Sequence, residues 1–168
     1  MEKVNRVFLS LGSNIESRLD HLRKAIQQIE TNIGRIISLS SIYESEAVGF
    51  SSEVTFYNMC LELETKLTPG HLLQKTQEIE LAIGRKNKTI DTYESRKIDI
   101  DIIFYSNERI ETESLSVPHM QYMNRKFVLM PLCEIDETII DPNKGISIRE
   151  ILLKCPDNSI VKRTSLAI

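Results

Sequence analysis

No stretch of this 168-residue chain is apolar over the ~20 residues a membrane-crossing helix needs, so no membrane role is expected. There is no leader either: Met1-Glu2-Lys3 opens directly into a strand-like segment, which predicts neither signal peptide nor anchor and makes the cytoplasm the default location. Cysteine is scarce and unpaired in pattern. Cys60, Cys133 and Cys155 form no C-x-x-C and leave an odd count, so reduced structural thiols in a reducing compartment are expected. An excess of positive charge is also missing. With 21 Lys+Arg against 24 Asp+Glu the net charge is −3, and no global field favours nucleic acid; any anion site must be a local concentration of cations. Repeats, low-complexity tracts and Pro/Gly/Ser-rich linkers are absent as well, which predicts one domain over residues 1–168. What remains, 41% hydrophobic and 27% charged, is the profile of a globular chain rather than a disordered one.

Periodicity supplies the elements. Residues 4–11 alternate around Val7, Leu9 and Leu11 as a strand ending at Gly12. Ser17 with Asp20 has the spacing of a capping box, and Leu19, Leu22, Ile26, Ile29 and Ile33 recur at helical intervals up to Gly34. Residues 36–45 read as a second strand and 56–64 as a third, with Tyr57, Met59, Leu61 and Leu63 on one face. Thr68-Pro69 opens a second helix that runs to Gly84. Residues 85–97 read as a polar loop and 97–105 as a strand. The order is β-α-β-β-α-β. It predicts an α+β, ferredoxin-like fold: an antiparallel sheet, helices packed on one face, and a C-terminal extension with a helical turn near Tyr122 and a helix over 148–154. Such a fold hosts many functions and decides none.

Lys97-Ile98-Asp99-Ile100-Asp101-Ile102 carries the most chemistry. Alternation sends the isoleucines to the core and puts Asp99 and Asp101 together on the other face. Carboxylates at i and i+2 lie about 7 Å apart and repel by about 2 kcal/mol at an effective dielectric near 20. A hard cation bound by both would reverse that penalty; a solvated strand face is the alternative, and spacing alone does not choose. Arg85, Lys86, Lys88, Arg96 and Lys97 precede the pair and Arg125 and Lys126 follow it, which favours a metal–polyphosphate site. Phe56 and Asn58 offer an aromatic and an amide to a flat heterocycle, although cross-strand packing explains them equally. Gln77 and Glu80 read as helix-surface residues, and His119 as a phosphate donor or a turn residue.

Several segments resemble the 6-hydroxymethyl-7,8-dihydropterin pyrophosphokinase family. They are Leu11-Gly12-Ser13-Asn14, Ser40-Ser41-Ile42-Tyr43, Phe56-Tyr57-Asn58, Thr76-Gln77, Ile79-Glu80, Gly84-Arg85, Arg96 through Ile102, Val117-Pro118-His119 and Asn124-Arg125-Lys126-Phe127. As a set they are specific; singly each is weak. The resemblance implies transfer of pyrophosphate from ATP to the hydroxymethyl group of the reduced pterin, giving AMP and the pterin diphosphate in folate biosynthesis. It implies that Asp99 and Asp101 hold two Mg²⁺ ions with ATP, and that Arg85 and Arg96 stabilise the transferring group from a catalytic loop that orders on ligand binding. It further places Gln77, Glu80, Lys88, Ile102, His119 and Arg125 at the nucleotide, and Ser45, Val48, Phe56, Asn58 and Phe127 around the pterin. Glu46-Ala47 stand where many members have Pro-Pro, Tyr93-Glu94-Ser95 where Trp-Gly-Pro is usual, and Met120 where an aromatic is common. A monomer with ATP and the pterin as partners, and no nucleic acid, is expected. The competing readings are an RNA-binding module, which the two strand aspartates disfavour, and a relic that binds nucleotide without turnover.

Overall fold

The computed structural model describes residues 3–47, 53–84 and 97–168. Strand β1 (Asn5–Ser13) is central, flanked by β5 (Asp99–Tyr105) and β4 (Phe56–Thr65), both antiparallel to it. On the far edge of β4 lie β2 (Arg35–Leu39) and β3 (Tyr43–Ser45), and β3 in turn pairs with β8 (Val161–Arg163). A separate ribbon joins β6 (Ile110–Glu111) to β7 (Ser116–Val117). The expected second strand is thus two. The break falls at Ser40, whose Oγ takes the Cys60 backbone N–H at 2.9 Å in place of a ladder carbonyl.

Helices α1 (Arg18–Asn32) and α2 (Pro69–Ile83) pack Leu22, Ala25, Ile29, Leu72 and Ile79 against Leu9, Leu11, Leu61 and Ile100 on one sheet face. The ends of α2 form as its sequence predicts: Thr68 caps it by accepting from His71 N–H, and Gly84 closes it at φ 106°. The start of α1 does not. Ser17 is left-handed, φ 65°, so its hydroxyl makes no capping bond; the capping box that forms is Ser147 with Glu150.

The helices do not all share one face, which corrects the expected packing. Helix α3 (Lys126–Asp136), unforeseen because Pro131 interrupts its pattern, and α4 (Ile148–Leu153) cover the opposite face. There Phe8, Cys60 and Phe104 point outward from the sheet and need apolar cover, supplied by Tyr122, Val128, Leu129 and Leu132. A bulge between Phe8 and Leu9 pairings leaves Ile103 extra, so Ile103 and Phe104 both join this second core while Tyr105 returns to the first. Among the described residues no helix is long and apolar enough to cross a membrane.

Candidate active site

Register assembles the site. Asp99 pairs with Gly12, Gly12 with Asn58, and Asn58 with Tyr43; one row along, Asp101 pairs with Ser10 and Ser10 with Cys60. Directly opposed side chains share a face, and this is the face that α3 only partly covers. Strands lie about 4.8 Å apart, so Asp99 and Asn58 stand about 10 Å from each other across Gly12. A Cβ on Gly12 would meet Asn58 Oδ1 at 3.2 Å and the Phe56 ring at 3.7 Å. The sequence reading ended the strand at this glycine. In fact β1 continues to Ser13, and Gly12 marks a close approach within it.

At one end of the row Asp101 faces two donors: Arg125 Nη1 lies 3.8 Å from its Oδ2, and His119 Nε2 lies 3.9 Å from its Oδ1. His119 Nδ1 accepts the Gln121 N–H at 3.1 Å, which leaves the proton of a neutral ring on Nε2, toward Asp101. Arg125 also lies 5.9 Å from the Phe127 ring centre. Asp99 and Asp101 are both half-buried. Among the described residues no group of three or more His, Cys, Asp or Glu converges on a metal position. Two carboxylates and no third protein ligand is a poor all-protein cage, but it fits Mg²⁺, which keeps waters and shares phosphate oxygens.

At the other end Asn58 Nδ2 donates to Ser45 Oγ at 2.8 Å, both residues only 3% exposed, which turns the amide oxygen over Gly12. Phe56 flanks them, half-buried, and Phe127 is half-buried at the start of α3 against the second core. Glu80 is buried and accepts the Ile100 N–H at 2.7 Å, tying α2 to the strand that carries the aspartates. Gln77 is exposed on α2. The Ile102 side chain belongs to the first core, so only its backbone is open to a ligand. Val48, Arg85, Lys88 and Arg96, with the expected catalytic loop, lie outside the described residues.

Sequence reasoning missed a network beside the pocket. Glu134 of α3 accepts from Tyr43 Oη at 2.7 Å and from Ser41 Oγ and N–H at 2.7 and 3.0 Å. Burial opposes the Glu134 charge, but the Tyr43 and Ser41 bonds outweigh it and hold the carboxyl below its usual range. Burial first, then Glu134, pushes the Tyr43 phenol up to about 12. No local motif announces the network, because its members are about 90 residues apart.

Comparison with known proteins adds the following. The family model described as 7,8-dihydro-6-hydroxymethylpterin-pyrophosphokinase (HPPK) matches residues 8–137. A 2-amino-4-hydroxy-6-hydroxymethyldihydropteridine pyrophosphokinase of Aquifex aeolicus is 40% identical over 81% of this chain and 83% of its own length. The folic acid synthesis protein fol1 of Pneumocystis carinii is 37% identical over 92% of the chain, which spans only 20% of that larger protein. A crystal structure of Plasmodium falciparum HPPK-DHPS superposes with a TM-score of 0.75 at 17% identity, over 92% of this chain and 44% of that one, a likeness of fold.

Proposed function

The chain belongs to the 7,8-dihydro-6-hydroxymethylpterin-pyrophosphokinase family, and on that premise we propose that it transfers pyrophosphate from ATP to 6-hydroxymethyl-7,8-dihydropterin, releasing AMP. The observation that carries this reading is the single row Asp99–Gly12–Asn58, which sets a carboxylate pair and an amide–aromatic pocket about 10 Å apart on one open sheet face. That separation suits a flat ring at one end and a triphosphate at the other. We also read the element order as a ferredoxin-like core with a C-terminal extension, acting as a cytoplasmic monomer.

The ring lies over Gly12, its edge meeting the Asn58 amide oxygen and its face meeting Phe56 and Phe127. Its hydroxymethyl arm then points along the row toward Asp99. The hydroxymethyl oxygen bonds to the β-phosphorus as the link from that phosphorus to the α-phosphate oxygen breaks; AMP leaves and the hydroxyl proton passes to solvent. Asp99 and Asp101 are the residues that would hold Mg²⁺, which when bound with ATP neutralises phosphate charge. His119 and Arg125 orient Asp101 and donate to phosphate oxygens, and Arg85, Lys88 and Arg96 supply the remaining cations. Such transfers depend on positioning and charge neutralisation more than on covalent help. Isothermal titration with a non-hydrolysable ATP analogue tests the arrangement. Binding should require Mg²⁺ and should tighten when the reduced pterin is present; analogue binding indifferent to Mg²⁺ would refute the assignment of the carboxylate pair.

A further inference from the structure

The family match ends at residue 137, yet the chain beyond it returns to both walls of the heterocycle pocket. One wall is β3, only three residues long and paired on its outer edge by β8, with Ser45 opposite Val161 and Tyr43 opposite Arg163. Arg163 Nε donates to Ser41 Oγ at 2.8 Å, and its Nη2 lies 3.3 Å from Glu134, the same carboxylate that receives Tyr43 and Ser41. The other wall is the first turn of α3, which carries Phe127. There Asp157 Oδ2 accepts the Lys126 N–H at 2.9 Å while its Oδ1 accepts the Ser159 N–H at 2.9 Å, and Lys126 Nζ reaches Ser159 O at 3.4 Å.

A three-residue strand with one partner frays, and the first N–H groups of a helix lack intrahelical acceptors. The segment from Asp157 to Arg163 remedies both defects. Ser45 must stay in place to receive Asn58 Nδ2, so whatever fixes β3 also fixes the amide oxygen offered to the ring.

We propose that Arg163 and Asp157 are positioning residues that set pterin affinity, holding the Ser45 wall and the Phe127 wall at a fixed separation. This rests on the function proposed above. Neither residue approaches the aspartate end of the row, so the effect should be confined to one substrate.

The test uses the full chain with Arg163→Ala, Arg163→Lys and Asp157→Asn, the last placing an amide nitrogen where one of two N–H donors now points. Reduced-pterin Kd is read by fluorescence titration, and KM for each substrate by turnover. Arg163→Ala and Asp157→Asn should raise the pterin Kd and KM by about three- to tenfold, the net worth of one hydrogen bond, with ATP KM within about twofold. Arg163→Lys, which keeps a cation against Glu134, should stay near the parent. Unchanged pterin affinity, or equal loss for both substrates, would overturn the proposal. A parent chain that fails to bind the reduced pterin at all would bring down the proposed function, and this inference with it.

Discussion

Gly12→Ala separates folding from function more sharply than any other single change. Gly12 is flanked by two strands, so the new methyl must enter the open face, 3.2 Å from Asn58 Oδ1 and 3.7 Å from the Phe56 ring. The first contact is tighter than van der Waals distance, and Asn58 must yield by a few tenths of an ångström. Its other end is anchored to Ser45 at 2.8 Å, so a rotation that relieves the methyl spoils that bond. Misaligning one buried hydrogen bond and filling the pocket floor should cost pterin binding on the order of 1–3 kcal/mol, about 5- to 150-fold in Kd. Folding should hardly notice. Glycine within a strand is worse than alanine by roughly 0.5–1 kcal/mol, which offsets the contact strain. A chain this size shifts about 2–4 °C per kcal/mol, so Tm should stay within about 3 °C of the parent. Thermal melts paired with titrations of the pterin and an ATP analogue decide it. A large drop in Tm with intact pterin affinity would show that Gly12 serves packing and that the pocket floor lies elsewhere.

Three further outcomes follow from the same geometry. Asp99→Ala and Asp101→Ala should each remove most turnover while leaving Tm unchanged or higher, since removing one carboxylate ends a repulsion of about 2 kcal/mol; a variant with parental rate at parental Mg²⁺ demand would contradict the metal assignment. Burial, with Lys97 and Lys24 nearby, holds the imidazole of His21 below its ordinary value, so the unfolded chain takes up that proton more readily. Stability should therefore be full above about pH 6.5 and decline below it, and denaturant melts of His21→Asn should show a flatter profile over that range; an identical profile would exclude His21 as the source. Ser159 Oγ is buried without a hydrogen-bond partner among the described residues, so Ser159→Ala should leave Tm unchanged or raise it by up to about 2 °C, and a fall of several degrees in calorimetry would mean the hydroxyl is satisfied after all.

The strands that build the site were legible because alternation is a local signal. Val7, Leu9 and Leu11, and Ile98, Ile100 and Ile102, are buried together as their spacing predicts, and Asp99 and Asp101 fall on the other face. The second core was not legible. Its cover comes from α3, where Pro131 breaks the helical pattern, and from a bulge at Ile103 that no local residue announces. Ser17 shows the limit of motif reading: the spacing to Asp20 is that of a cap, but a left-handed backbone turns the hydroxyl away. The contacts of Tyr43, Glu134 and Arg163 are long-range and depend on topology, so a sequence scan has nothing to detect.

The central claim is the chemistry at the Asp99–Asn58 row. Incubating the chain with ATP, Mg²⁺ and 6-hydroxymethyl-7,8-dihydropterin and separating the nucleotides by anion exchange tests it directly. AMP should accumulate in equal amount with a pterin diphosphate, and both should vanish when the pterin is omitted. ADP as the main product, or AMP formed without the pterin, would contradict pyrophosphoryl transfer at this site.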